Sequence, residues 1–402
     1  MDARPFRSAW IADRARTPKI LTKPITLNDL RRFTVARTFF PPTTLKRAIE
    51  RMGFIQADPI RAPARAQDLI LRQRVKNYHA GDLERRYATL DIEEDFFVIY
   101  GFVTKSLHAL MHPRAGSQAS VNRMPLPWPA ANRKRAQLLF EFVSERGEVH
   151  PREVDQHFAH GKVENFWGGS SNATTHLLQE MHYRGLLRVV RREKGIRVYA
   201  TRQSGAGVTD AHERRERIDA LVDVAVKLYA PLPASSLASM VSRLRYAVPQ
   251  WQRELKSALQ RAKDRLMHAQ VDGIGWYWAK EDSLRGAFRN SSEDRVRLLA
   301  PFDPLVRDRA RFALLWGWEY RFEAYTPSAK RKLGYYALPL LWQDRVLGWA
   351  NLSVKDGKLV SEFGYVKSPP GDRAFKRELA AELDRMRAFL SLPLNTRPLN
   401  GD

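Results

Sequence analysis

Three helical runs followed by a β-hairpin, written twice in succession, limit what this chain can fold into more than any other feature. The first copy opens with "NRKRAQLLFEFVSERGEVHPREVDQHF", two helical patterns parted by Gly147 and Pro151. A third helix follows in "SSNATTHLLQEMHYRG", with Ser170 or Ser171 as cap and Gly185 as stop. "LLRVVRREKGIRVYA" then alternates on either side of Lys194-Gly195, a hairpin signal. The second copy runs through "RRERIDALVDVAVKLY", "PASSLASMVSRL" and "VPQWQRELKSALQRAKDRL" to a turn at Asp272-Gly273 in "MHAQVDGIGWYWAK". This is the order of a winged helix, a helix-turn-helix variant carrying a β wing.

Around these copies the chain divides readily. Residues 1–26 read as a basic arm. A first, degenerate winged-helix domain is expected over 27–125, where "LNDLRRFTVARTFF", "LKRAIERM" and "ARAQDLILRQRV" are helical but "DIEEDFFVIYGFVTKSLHALM" mixes strand and helix. The two clear copies occupy 130–205 and 211–290. From Val296 the texture becomes β, in "RVRLLAPFDPL", "EYRFEAYTP", "GYYALPLLW", "RVLGWANLSV" and "KLVSEFGYV", so 295–368 is expected to be a small antiparallel barrel or sandwich. A helix and tail, 370–402, end the chain. The fold class is α+β: tandem winged helices, then a small antiparallel β-domain.

Charge narrows the function. The 68 Lys and Arg residues exceed the 44 Asp and Glu by 24, a surplus that attracts polyanions, and its arginines favour planar contacts with phosphate. The absence of cysteine excludes disulfides, thiolate zinc sites and cysteine nucleophiles. No apolar run approaches the ~18–20 residues of a membrane span, and "MDARPFRSAWIADRARTPKI" has no signal-peptide apolar block. A cytoplasmic monomer that binds double-stranded DNA, and no membrane, is the expectation. A basic regulator fits that outline equally.

The stretch "ERMGFIQADPIRAPAR" is the place to look for chemistry. Asp58 precedes Pro59, which pushes it out of the α region, and in extended backbone residues i and i+2 share a face. Gln56 and Asp58 then project together while Ile55 and Ala57 face the core. Equally, an Asp before Pro commonly caps a helix or closes a turn. The helix that follows has Arg65, Arg72 and Arg74 on or near its exposed side, and Arg61, Arg65 and Arg72 are expected to contact DNA.

These residues resemble the Gln-x-Asp or Gln-x-Gln signature of the AlkZ/YcaQ family of winged-helix DNA glycosylases, and the likeness extends from about Leu27 to Val366. "ARAQDLILRQRV", "FWGGSSNATTHLLQEMHYRGLLRVVRREKGIRVYA", "LLAPFDPLVRDR" and "KRKLGYYALPLL" follow in the family's order. The resemblance implies excision of N7-alkylguanines from duplex DNA carrying alkylated bases, with interstrand crosslinks as a further substrate, by a monofunctional enzyme that needs no cofactor. It also implies that Gln56 and Asp58 are the catalytic pair. Histidines that many relatives carry just after the signature are Gln67-Asp68 here, and an aromatic-Gly-His near "IYGFV" has Phe102 instead.

Other features are secondary. His108 and His112, four apart on a helix, lack a third ligand signature, and no metal is expected. "WGGSSNATT" lacks the Gly-Lys-Ser/Thr of a nucleotide loop, but its turn and helix N-terminus, with Ser170, could hold one DNA phosphate. Arg191, Arg192 and Lys194 on the wing are read as phosphate contacts, or else as a solvated hairpin. Trp276 and Trp278 read as packing residues.

Overall fold

The computed structural model describes residues 24–114, 130–158, 162–164, 170–203, 205, 207–282 and 294–393. The expected basic arm lies outside them up to residue 23, as do the residues 165–169 that carry the Trp-Gly-Gly of the phosphate-loop-like stretch. No helix among the described residues is long and apolar enough to cross a membrane.

Caps set the first elements. Thr26 and Asp29 form a capping box on α1 (Leu27–Thr38), Thr44 caps α2 (Leu45–Met52), and Gly53 ends α2 at φ 72°. β1 (Phe54–Gln56), α3 (Ala66–Leu71) and the single turn α4 (Asp82–Arg85) follow, then the hairpin β2 (Ile92–Phe96) and β3 (Tyr100–Thr104), then α5 (Lys105–Met111). The three strands make one antiparallel sheet in the order β1-β3-β2, with Gln56 opposite Gly101. A side chain at Gly101 is excluded, because its Cβ would lie 2.2 Å from the Ile55 carbonyl oxygen.

The two repeated patterns give helices and hairpins in the expected order. In the first, α6 (Ala130–Arg146), β4 (Glu148–Val149), α7 (Pro151–Phe158), the pair β5 (Lys162–Glu164) and β6 (Ser170–Asn172), and α8 (Ala173–Tyr183) precede β7 (Leu187–Glu193) and β8 (Ile196–Thr201). Ser170 and Ser171 belong to β6, so neither is the residue before α8 that a cap requires. In the second, α9 (Ala211–Tyr229), β9 (Leu232–Pro233), α10 (Ala234–Arg243) and α11 (Leu255–Arg265) precede β10 (Met267–Val271) and β11 (Ile274–Trp278). Both hairpins turn through two left-handed residues, Lys194-Gly195 at φ 49° and 86° and Asp272-Gly273 at φ 51° and 74°, which matches the right-handed twist of the strands they join. Trp276 and Trp278 are buried.

The C-terminal β segment is neither a barrel nor a sandwich. It is one open four-stranded antiparallel sheet, β12 (Val296–Leu298), β13 (Leu338–Trp342), β14 (Arg345–Lys355) and β15 (Lys358–Tyr365), in sequence order, and the last helix, Arg373–Phe389, packs on β12. "EYRFEAYTP" is a loop despite its aromatic content: Tyr320 donates to Ala337 O at 2.7 Å, and the buried Glu323 accepts from Lys332 N and Leu333 N. Strand β1 lies between two cores. Phe54 packs with α5 and α9–α11, whereas Ile55 packs with the C-terminal sheet and last helix. Burial on both sides fixes the backbone from which Gln56 and Asp58 emerge.

Candidate active site at the end of strand β1

Gln56 is buried, and its Oε1 accepts from Arg307 Nε at 2.7 Å. A guanidinium only donates, so this contact fixes which way the amide is turned and leaves the Gln56 NH2 group as donor. Arg307 is itself held over the Tyr229 ring at 5.6 Å. One residue on, Ala57 N extends the ladder to Tyr100 O at 3.2 Å.

Asp58 is half-buried and closes a turn, accepting from Ile60 N at 2.9 Å, so the turn-closing geometry weighed for this residue is present. Gln67 Oε1 accepts from Asp58 N at 3.4 Å. Burial raises the Asp58 pKa above the ordinary carboxylate value, and the Ile60 N–H offsets this only in part; no cation among the described residues is a cause of the shift. Asp58 in turn acts electrostatically on Tyr336 and Tyr325, after burial the largest influence on each. Tyr336 is buried with a hydroxyl that finds no partner among the described residues. The chain therefore supplies an uncompensated carboxylate, an oriented amide donor and an unsatisfied hydroxyl. Arg307, Tyr336 and Gln67 escaped the sequence reading as site residues, although "LLAPFDPLVRDR" and "KRKLGYYALPLL" pointed at two of them.

The predicted phosphate contacts are scattered. Arg61 is exposed on the loop after Asp58. Arg65 pairs with Glu84 and lies against Gly195, where a Cβ would come within 2.3 Å of its Nη2. Arg72, expected at the surface, is turned inward onto the buried Glu382 and the Leu298 carbonyl, because the last helix covers α3. Arg74 is likewise inside, bound twice by Asp303 at 2.8 and 3.0 Å. Arg192 is also drawn inward, 2.6 Å from Glu94. Arg191, its neighbour, is partly exposed and tied to Glu148 and Glu193, and Lys194 is exposed at the turn. Ser170 is described only as backbone of β6.

What draws the wing inward is the acidic strand β2. Glu93 receives Arg188 at 2.9 Å and Arg202 at 3.4 Å, Glu94 receives Arg192 and Arg197, and Asp95 receives Arg114 at 2.8 Å and His112 at 2.7 Å. Burial alone would raise the Glu94 pKa, but Arg192, Arg197 and the Tyr100 hydroxyl outweigh it and hold it at about 2. His108 and His112 stack in parallel, 4.0 Å apart and 15° from coplanar, and both bring Nε2 to the same Asp95 oxygen, at 3.4 and 2.7 Å, so strand β2 supplies the third possible ligand that the sequence did not offer, although Arg114 already gives Asp95 a cation.

The family model for AlkZ-like DNA glycosylases matches residues 49–389, a span that holds Gln56, Asp58, the acidic strand and the C-terminal sheet. The chain belongs to the AlkZ-like DNA glycosylase family. Among solved structures it is similar to Streptomyces sahachiroi DNA glycosylase AlkZ, with a TM-score of 0.58 and 16% identity, over 92% of this chain and 99% of that one. That likeness concerns the fold. Of the two positions where the sequence reading expected relatives to carry histidine, Gln67 touches the Asp58 backbone and Phe102 is a core residue with no exposure.

Proposed function

We propose that the protein is a monofunctional DNA glycosylase of the YcaQ-like, Gln-x-Asp type that releases N7-alkylguanine from duplex DNA, with interstrand crosslinks as a further substrate. The observation that carries this reading is Asp58, a half-buried carboxylate whose pKa is raised and which no guanidinium among the described residues neutralises. N7-alkylguanine bears a positive charge and departs as a neutral base, so no general acid is needed. What is needed is a group that attracts the cationic sugar as it forms and removes a proton from the attacking water, and one carboxylate can do both. A raised pKa makes that carboxylate the better proton acceptor near neutrality. The Gln56 NH2, oriented by Arg307, donates to the water oxygen and turns the water's protons toward Asp58. The two helix–hairpin units act as winged helices on the DNA backbone, with Arg61, Arg191 and Lys194 as phosphate contacts.

The absence of the relatives' histidines, replaced by Gln67 and Phe102, favours a second reading, a DNA-binding protein that keeps the scaffold without the chemistry. Incubation with duplex DNA containing N7-methylguanine, without added metal or cofactor, separates the two. Glycosylase action gives free methylated base and an intact strand that breaks only on heating in alkali. Binding with no base release leaves the second reading.

A further inference from the structure

Large apolar side chains usually reach the surface singly, and a pair of exposed aromatics beside a reactive group calls for a reason. Tyr325 is 62% exposed and Tyr335 45%; both lie in the loop between Tyr320 and Ala337, which are hydrogen-bonded to each other, and the Asp58 charge acts on Tyr325. The loop is rigid at its base. Glu323, itself buried, accepts from Lys332 N at 2.8 Å and Leu333 N at 2.7 Å, tying the two sides together. Asn351 Nδ2 donates to Leu333 O at 2.7 Å, and Gly334, at φ 110°, passes so close that a Cβ would meet Asn351 at 2.4 Å. Phe322 joins Phe302 at 4.9 Å, Tyr336 at 5.4 Å and Tyr325 at 6.0 Å, so an aromatic ladder runs from the core out to the exposed ring. Arg331 lies over Tyr335 at 5.0 Å, with Lys330 and Lys332 exposed on either side.

Exposed rings on a fixed base, with cations in the same loop, suit one class of ligand. Every nucleobase has a π-face and every nucleotide a phosphate, and stacking on aromatic side chains tolerates any sequence. We propose that Tyr325 and Tyr335 form a stacking platform for a nucleobase that has left the helix at the site of attack, with Lys330 and Lys332 on the adjoining phosphates. This rests on the reading of Asp58 as the group that acts on a damaged nucleotide, and it adds how that nucleotide is held.

The test uses the full chain and two duplexes, one fully paired and one carrying a single bulged 2-aminopurine. Affinity is measured by anisotropy, and stacking by quenching of the 2-aminopurine emission. The wild-type protein should prefer the bulged duplex and quench its fluorescence. Tyr325→Ala and Tyr335→Ala should each reduce that preference by roughly 5- to 150-fold, the range of one base–aromatic stack. Tyr325→Phe and Tyr335→Phe should restore it, since the ring and not the hydroxyl does the stacking. A preference that survives both alanine variants, or that phenylalanine fails to restore, overturns the platform. Release of N7-methylguanine by the wild-type chain is followed in parallel. Release without bulge preference overturns the platform alone, whereas quenching and preference without release keep it and overturn the glycosylase reading.

Discussion

Asp58 and Glu94 stand at the two edges of the same three-stranded sheet, just beyond β1 and within β2, and their surroundings are opposite. Glu94 is wholly buried, yet two guanidiniums and a phenol hold its pKa at about 2. Asp58 is less buried, yet its pKa is raised, since one backbone N–H is its main compensation. Burial acts on both carboxylates in the same direction, so the difference comes from the arginines. Among the described residues no arginine pairs with Asp58, in a chain with 68 basic side chains. Glu94 has no charge left to offer a substrate; Asp58 retains all of its own.

The largest effect should come from erasing that difference at Asp58. Asp58→Asn keeps size and the bond from Ile60 N while removing the charge, and excision of N7-methylguanine should fall on the order of 10²–10⁴-fold. Gln56→Ala should cost less, because it loosens the water and leaves the electrostatic attraction. The wild-type rate should fall on acidification at a pH above the ordinary carboxylate range, and this limb should vanish from the residual activity of the asparagine variant. Stability moves the other way. A carboxyl whose folded pKa is raised binds its proton more tightly in the folded state, so stability declines as pH rises through the interval above 3.8. At neutral pH the asparagine variant should melt at or above the wild-type temperature. Full activity in Asp58→Asn would break the comparison outright.

At Glu94 the same amide replacement should damage the fold. Glu94→Gln strands Arg192 and Arg197 in a buried site, and losing one partner from such a network costs about 3–5 kcal/mol. The folded pKa is depressed, so the wild-type contribution is complete above about 4.5 and is lost as pH falls toward about 2. Chemical denaturation at pH 7 and pH 3 should show the wild-type protein and the variant far apart at the first and closer at the second. An equal gap at both would mean that Arg192 and Arg197 do not act through this carboxylate.

The contrast between the two acids was only half legible in the sequence. Local signals carried over: Lys194-Gly195 and Asp272-Gly273 turn hairpins, Gly53 ends a helix, and the proline after Asp58 keeps it out of one. These depend on a few neighbouring residues and on backbone sterics. Arginine partners do not. Arg72 meets Glu382 across 310 residues, Arg192 meets Glu94 across 98, and Arg307 meets Gln56 across 251. Periodicity says which face of a helix is polar but not whether an acidic strand or another helix will cover it, so arginines read as phosphate contacts turned out to be interior ion pairs. "EYRFEAYTP" failed for a related reason: its aromatic residues match a strand's composition, but Phe322 packs on Phe302 and Tyr336 in a loop that Glu323 ties to Lys332 N and Leu333 N, partners only the tertiary fold supplies.

The smallest effect tests the comparison where it should matter least to folding. Arg191 and Arg192 are adjacent on β7, so their side chains leave opposite faces of the strand. Arg191 is 43% exposed beside Glu148 and Glu193, whereas the 9% exposed Arg192 lies on Glu94. Arg191→Ala removes a surface ion pair worth about 0–1 kcal/mol and should leave the melting temperature nearly unchanged. If Arg191 neutralises a DNA phosphate, the same change should flatten the log–log salt dependence of duplex binding by about 0.9, and Lys194→Ala should do likewise. Arg192→Ala should do the reverse: a clear loss of stability and, at temperatures where the variant remains folded, an unaltered salt slope. Because the two substitutions fall on consecutive residues and both delete the same charge, net charge cannot explain a difference between them. A slope that falls equally in both variants would mean that Arg192 leaves Glu94 for DNA, and that the acidic strand is a counterion the duplex can displace.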